Sequence, residues 1–276
     1  MATNKKNENK NSETVLITGA SWGFGYELAK KFAQDDYNLV LVARSKDRLN
    51  EIAKDFEPKY GIKVSVVAKD LFSPSAPDEI HQQMRDDNIQ IDVLVNNAGF
   101  GTYGQFSEIE TQKDLNLVQL NVVVVTHMTK LFLKDMIARK QGRILNVASM
   151  AAYLPGPYMA TYFASKSYVK SFTESVNEEV KGSGVSLMAL CPGVAATKFQ
   201  QTAENEKALI GGTIDALVMS AEDVINGAYA DFQKGKSLSI PGASNKLMSY
   251  FVPFLPTSLM LKAVKMFNNS ADIKPY

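Results

Sequence analysis

Tyr162 and Lys166 stand four residues apart in a stretch whose apolar positions recur at helical spacing, so both side chains fall on one face about one turn apart. A free phenol, with a pKa of roughly 10, is a poor base at neutral pH, but a nearby ammonium and an oxidised nicotinamide favour its phenolate. Upstream, Ser149 adds a hydroxyl able to hydrogen-bond an oxygen on which charge develops. Such a set suits a carbonyl oxygen that gains or loses a proton while hydride moves at its carbon. Taken singly, the pair also reads as helix-surface packing, as Tyr168 does, and Ser149 as a helix cap. Tyr158 competes as a phenol, but no lysine lies four residues beyond it.

Hydride needs a carrier. Thr18-Gly19-Ala20-Ser21-Trp22-Gly23-Phe24-Gly25 follows a β-branched run and opens a helical pattern. In the order strand, glycine turn, helix, the glycines let the backbone approach a pyrophosphate, and the free amides at the helix start favour the anion. The spacing is G-x-x-x-G-x-G, without the lysine of an ATP-binding loop; a βα turn that binds nothing is the plain alternative. At the end of the second strand, Val42-Ala43-Arg44-Ser45 offers no carboxylate for a ribose 2′-hydroxyl, and Arg44 can pair with a 2′-phosphate. This points to NADP(H) ahead of NAD(H), the alternative being that Arg44 stacks on adenine or faces solvent.

Short β-branched runs at 14–18, 38–43, 63–68, 91–95, 143–148, 185–190 and 237–240 alternate with helical patterns such as 26–34 and 160–181. Their continuous hydrophobicity suits strands covered on both faces. The pattern predicts an α/β fold: a single-domain, doubly wound parallel sheet (Rossmann-like) of about seven strands with helices on both faces. Residues 122–125 are β-branched, yet Leu115, Val118, Met128, Leu131 and Phe132 continue around them at helical spacing, which predicts helix there.

Three further pieces follow in order: Asn96-Asn97-Ala98-Gly99 after the fourth strand, Ser149 after the fifth, and Tyr162-Phe163-Ala164-Ser165-Lys166 on the next helix. With the glycine turn they resemble the short-chain dehydrogenase/reductase (SDR) family over roughly residues 14–240. The resemblance implies a coenzyme turn at Gly19, Ser21, Trp22, Gly23, Phe24 and Gly25, although Trp22 and Phe24 depart from the small or aliphatic residues common there. It implies further coenzyme contacts at Asp70, Asn97, Ala98, Gly99, Pro192, Gly193 and Thr197, with Asp70 at the adenine. Asn121, Ser149, Tyr162 and Lys166 match the catalytic tetrad, Asn121 helping to hold a water between Lys166 and solvent. A homodimer or homotetramer built through helices near 112–139 and 160–181 is also implied.

Of the 276 residues, 45% are hydrophobic and 21% charged, enough to enclose a core; the net charge of +1 draws in no nucleic acid. The single cysteine, Cys191, permits no internal disulfide or Cys/His metal cluster, which favours a cytoplasmic setting. Both histidines, His81 and His127, lie in helical patterns and read as structural. Residues 1–13 read as a disordered polar tail, 14–242 as the dinucleotide-binding and catalytic domain, and 243–276 as an amphipathic helical extension. No transmembrane span is expected, the extension being a lid, a subunit contact or a peripheral membrane contact. Loops at 100–106, 150–159 and 194–219 favour a small hydrophobic carbonyl or alcohol, the last as a lid before a helix capped by Ser220 and Asp223. The expected activity is NADP(H)-dependent carbonyl/alcohol interconversion, its rival a non-catalytic NADP-sensing protein on the same fold.

Overall fold

The computed structural model describes residues 13–196 and 218–268. Seven parallel strands form its main sheet: β1 (Thr14–Thr18), β2 (Asn38–Ala43), β3 (Val64–Ala68), β4 (Val93–Asn96), β5 (Gly142–Val147), β6 (Val185–Leu190) and β9 (Leu238–Ser239), in the spatial order β3-β2-β1-β4-β5-β6-β9. Two short strands, β7 (Ala195–Ala196) and β8 (Met219–Ser220), pair with each other in parallel. The strand order reverses between β1 and β4, opening a crevice at their carboxyl ends.

Continuous hydrophobic runs became strands because both faces are covered. In β1, Val15 and Ile17 enter one apolar layer and Leu16 the other; in β2, Leu39 and Leu41 oppose Val40 and Val42. One layer holds α1 (Gly23–Gln34), α2 (Lys46–Tyr60) and α7 (Ala221–Gln233), centred on Phe32, whose ring meets Tyr37, Tyr229 and Phe232 edge-on. The other receives α3 (Ala76–Asp86), α5 (Val125–Ala138) and the end of α6 (Ala160–Glu179). Both histidines tie α3 to α5, His81 at 2.7 Å from Asp135 and His127 at 3.2 Å from Asp78.

The β-branched stretch at 122–125 is helical. It lies between α4 (Thr111–Val118) and α5 in a π-helical segment, Gln119–Val124, where the wider turn carries Asn121 to full burial. The continuous helix Thr111–Ala138 is the one described helix long and apolar enough, by length and composition, to cross a bilayer. That finding differs from the expectation of no such segment, but Met128, Phe132 and Met136 are packed into the core, so the helix serves as a layer of this domain. At the start of α7, Asp223 N–H donates to Ser220 Oγ (3.0 Å), the N-cap half of the capping box expected there, while Asp223 Oδ2 accepts from the Ser220 hydroxyl (2.7 Å). A cavity of about 320 Å³ between Glu13, Asp92, Arg143 and Gly184 lies at the amino ends of the strands, opposite the crevice.

The strands carrying the crevice are locked by a buried polar chain. Asn96 Nδ2 donates to Asn146 Oδ1 (2.9 Å) and Thr129 Oγ1 (3.1 Å), Asn146 Nδ2 to Thr173 Oγ1 (3.0 Å), and Thr173 Oγ1 to Val169 O (2.6 Å). β4, β5, α5 and α6 thus share one network. Asn146→Ala, by orphaning buried partners, should destabilise the protein by about 2–3 kcal/mol in urea unfolding; a loss below about 0.5 kcal/mol would show the chain is dispensable.

Candidate active site

The glycine turn is shaped by close backbone approach. Gly19 has φ +67° and its N–H donates to Val42 O (2.8 Å). A Cβ on Gly25 would meet Gly19 O at 2.2 Å and Asn97 Nδ2 at 2.6 Å, so only glycine lets α1 start this near β1. Trp22 occupies the N-cap position in extended backbone without a side-chain cap bond, and no acidic residue lies in the first turn of α1. Ser21 and Gly23 are half-buried, and Phe24 packs on the core.

Asn97 is the turn's scaffold. Its Nδ2 donates to Thr18 O (2.9 Å) and Gly19 O (3.1 Å), while the N–H groups of Asn97 and Ala98 both donate to Thr18 Oγ1. These bonds hold the ends of β1 and β4 at the crevice mouth. A backbone-lined helix start with no side-chain cap bond and no acidic residue in its first turn fits the pyrophosphate of a dinucleotide.

At the tip of β2, Arg44 is exposed, its guanidinium 5.7 Å from the Phe72 ring centroid. Asp70 is exposed and its Oδ1 accepts from Phe72 N–H (3.0 Å), fixing the turn that presents that ring. Sequence reading missed Arg48. Its guanidinium lies 4.3 Å over the Trp22 ring and 5.6 Å from Tyr26, with an ion pair to Glu51 at 3.0 Å. Trp22, the odd residue of the turn, is therefore a platform that draws a second cation toward the coenzyme side. Arg48, in the first turn of α2, stands four residues after Arg44, the only hint the sequence offered.

Tyr162 and Lys166 do share one face of α6, and both are buried, 9% and 5% exposed. Lys166 Nζ lies 5.8 Å from the Tyr162 ring centroid and donates to Val147 O (2.8 Å), the last carbonyl of β5. Ser149, two residues on, caps a short 3₁₀ turn (Met150–Tyr153) by accepting from Ala151 N–H (3.1 Å), and its side chain also hydrogen-bonds Tyr162. Serine is thus both cap and neighbour of the phenol. Around them Leu117, Ala151, Met159 and Tyr162 form an apolar cluster against which Phe100, Tyr103 and Phe163 pack.

Burial pushes the Tyr162 phenol up to about 12, with the Ser149 hydrogen bond pulling the other way, and pushes the Lys166 amine down to about 8. The protein alone does not make this phenol acidic, because Lys166 points its amine at Val147 O and the apolar wall penalises a phenolate. Asn121, the residue expected to help hold a water between Lys166 and solvent, clamps the backbone of Phe100: its Oδ1 accepts from Phe100 N–H (3.2 Å), and its Nδ2 donates to Phe100 O (2.9 Å) and Ser165 Oγ (3.1 Å). A Cβ on Gly99 would lie 2.9 Å from Asn121 Oδ1 and 3.5 Å from Lys166 Nζ, so that glycine lets the clamp close near the amine. Pro192 O accepts from Met150 N–H (2.9 Å), and Gly193 abuts Asn245. Thr197 and most of the 194–219 connection lie outside the described residues, though β7 and β8 join the connection at its base.

The family model for short chain dehydrogenases matches residues 13–208. The very-long-chain 3-oxoacyl-CoA reductase of Homo sapiens is 28% identical over 268 residues, covering 94% of this chain and 80% of that protein. A solved short-chain dehydrogenase from Sphingobium yanoikuyae in complex with NADPH has a TM-score of 0.79 at 26% identity, covering 95% of this chain and 98% of that one. Another, from Burkholderia phymatum in complex with NAD, has a TM-score of 0.76 at 23% identity, covering 90% and 96%, a likeness of fold alone. The chain belongs to the short-chain dehydrogenase family and is an oxidoreductase.

The buried pair makes stability depend on pH in two directions. Between about pH 8 and 10.5 the unfolded chain holds a proton that native Lys166 has released, so wild type should gain up to about 3 kcal/mol relative to Lys166→Met. Above about pH 10 the native chain keeps the Tyr162 proton that the unfolded chain loses; stability falls, and Tyr162→Phe should soften that fall. Parallel curves for all three proteins in pH-dependent denaturation would contradict both assignments.

Proposed function

We propose that this oxidoreductase uses NADP(H) to interconvert a hydrophobic ketone and its alcohol, with Tyr162 as general acid and base. The observation that carries the reading is Tyr162, Ser149 and Lys166 brought together inside an apolar cluster beside the dinucleotide crevice. When bound, NADPH supplies hydride to the carbonyl carbon. Ser149 donates a hydrogen bond to the substrate oxygen and orients it toward the phenol. Tyr162 delivers its proton to that oxygen, which a phenol held protonated by burial can do at neutral pH. Lys166, brought down to about 8, exchanges protons near neutrality and replenishes the phenol. Asn121 holds Phe100, and hence the wall over the site, in place.

Arg44 and Arg48 support the coenzyme preference: one guanidinium stands just past the end of β2 and the other in the first turn of α2, each against an aromatic ring, where a 2′-phosphate would sit. The aromatic and aliphatic lining by Tyr162 supports a bulky apolar substrate, and the similarity to very-long-chain 3-oxoacyl-CoA reductases favours a 3-oxoacyl thioester. Exposed Leu115, Val118, Val123 and Tyr168 on the long helices support the expected homo-oligomer contact.

A panel of 3-oxoacyl thioesters and bulky ketones should show NADPH oxidation that Tyr162→Phe lowers by about 10²–10⁴-fold with folding intact. Coenzyme binding without turnover across the panel would favour the sensing role instead. In fluorescence titrations, Arg44→Ala and Arg48→Ala should each weaken NADPH by about tenfold or more and leave NADH nearly unchanged. Equal weakening of both coenzymes would remove the 2′-phosphate assignment.

A further inference from the structure

The segment that follows the domain's last strand has a surface unlike the rest. From Ile240 to Asn268 the sequence carries three lysines and no aspartate or glutamate. It folds as α8 (Ala243–Phe251), a 3₁₀ turn (Val252–Phe254) and α9 (Thr257–Asn268). Leu247, Tyr250, Phe251, Phe254, Leu259 and Met266 are 54% to 85% exposed, an apolar surface whose transfer out of water would be favourable. In α9 only Met260, Val264 and Asn268 turn inward, while Leu259 and Met266 share the outward side with Lys262 and Lys265.

This surface is tied to the candidate active site. Tyr103 O–H donates to Asn268 O (2.5 Å), Asn268 Nδ2 donates to Pro157 O (2.9 Å), and Lys265 Nζ lies 5.9 Å from the Tyr158 ring centroid. Tyr103 packs on the cluster around Tyr162, and Pro157 and Tyr158 belong to the loop after Ser149. The free end of the helical pair therefore sits beside the loops that border the phenol.

Two occupants could cover such a face. A second copy placed symmetrically would press lysines against lysines with no carboxylate side chain on α8, the 3₁₀ turn or α9 to meet them. An anionic bilayer meets both features: side chains such as Phe254 and Leu259 enter the acyl boundary, while lysine stems lie along it and their ammonium groups reach the phosphates. We propose that α8, the 3₁₀ turn and α9 form a docking face for an anionic lipid bilayer, which sets the Tyr162 cleft at the membrane surface. Docking stands on the surface alone; delivery of a bilayer-dissolved carbonyl substrate to the cleft rests on the reductase reading.

The full-length protein would be sedimented with phosphatidylcholine vesicles, with and without phosphatidylglycerol. It should bind the anionic vesicles at low salt, and binding should fall about tenfold or more in Phe254→Ser/Leu259→Ser/Met266→Ser and in Lys246→Gln/Lys262→Gln/Lys265→Gln. Lys134→Gln/Lys181→Gln, exposed elsewhere, should bind as wild type, and so should Tyr162→Phe, which separates docking from catalysis. Absence of co-sedimentation, or equal binding by every variant, would overturn the proposal. So would a dimer in solution that the apolar triple variant dissociates while wild type ignores lipid.

Discussion

An amine buried in an apolar wall constrains everything around it. Lys166 is 5% exposed and has the Val147 carbonyl as hydrogen-bond acceptor, so β5 must end at that carbonyl and α6 must cross it there. The Asn96–Asn146–Thr173 chain fixes that crossing by joining β4 and β5 to α6 from within. Burial also costs the ammonium its hydration, and the same dryness keeps the neighbouring phenol protonated. A phenol held protonated and an amine of lowered basicity are thus set by one desolvated environment, with Ser149 as a polar contact of the phenol.

Around this pair, asparagine amides act on backbone. Asn97 grips both carbonyls of the turn entering α1, and Asn121 grips both polar groups of Phe100. An amide that both donates and accepts can hold a loop by its main chain whatever side chains the loop bears. The backbone is therefore pinned at Thr18–Gly19 and at Phe100, while Phe100, Tyr103 and Met159 pack around Tyr162.

Much of this was legible in the chain. Continuous runs such as Val15-Leu16-Ile17 marked two-sided strands, the spacing of Tyr162 and Lys166 put both on one face, and Ser220 with Asp223 marked a helix start. The helix through 122–125 was visible because flanking apolar residues kept helical spacing through β-branched ones. What stayed hidden depends on contacts distant in sequence or on desolvation. The π turn that aims Asn121 leaves no spacing signature, and the stacking of Arg48 on Trp22 exists only once α1 and α2 are packed together. The upward shift of the phenol in the protein without coenzyme was hidden because four-residue spacing reports proximity but not the direction of the amine or the dryness of the wall.

The central claim is that burial holds the Tyr162 phenol protonated until a cation arrives beside it. An ultraviolet titration of tyrosinate, wild type minus Tyr162→Phe, isolates that one group. Without coenzyme its ionisation should centre near 12; with saturating NADP⁺, whose pyridinium brings positive charge to the crevice, the midpoint should fall by roughly two or more. A midpoint near 10 in the free protein, unmoved by NADP⁺, would contradict the account.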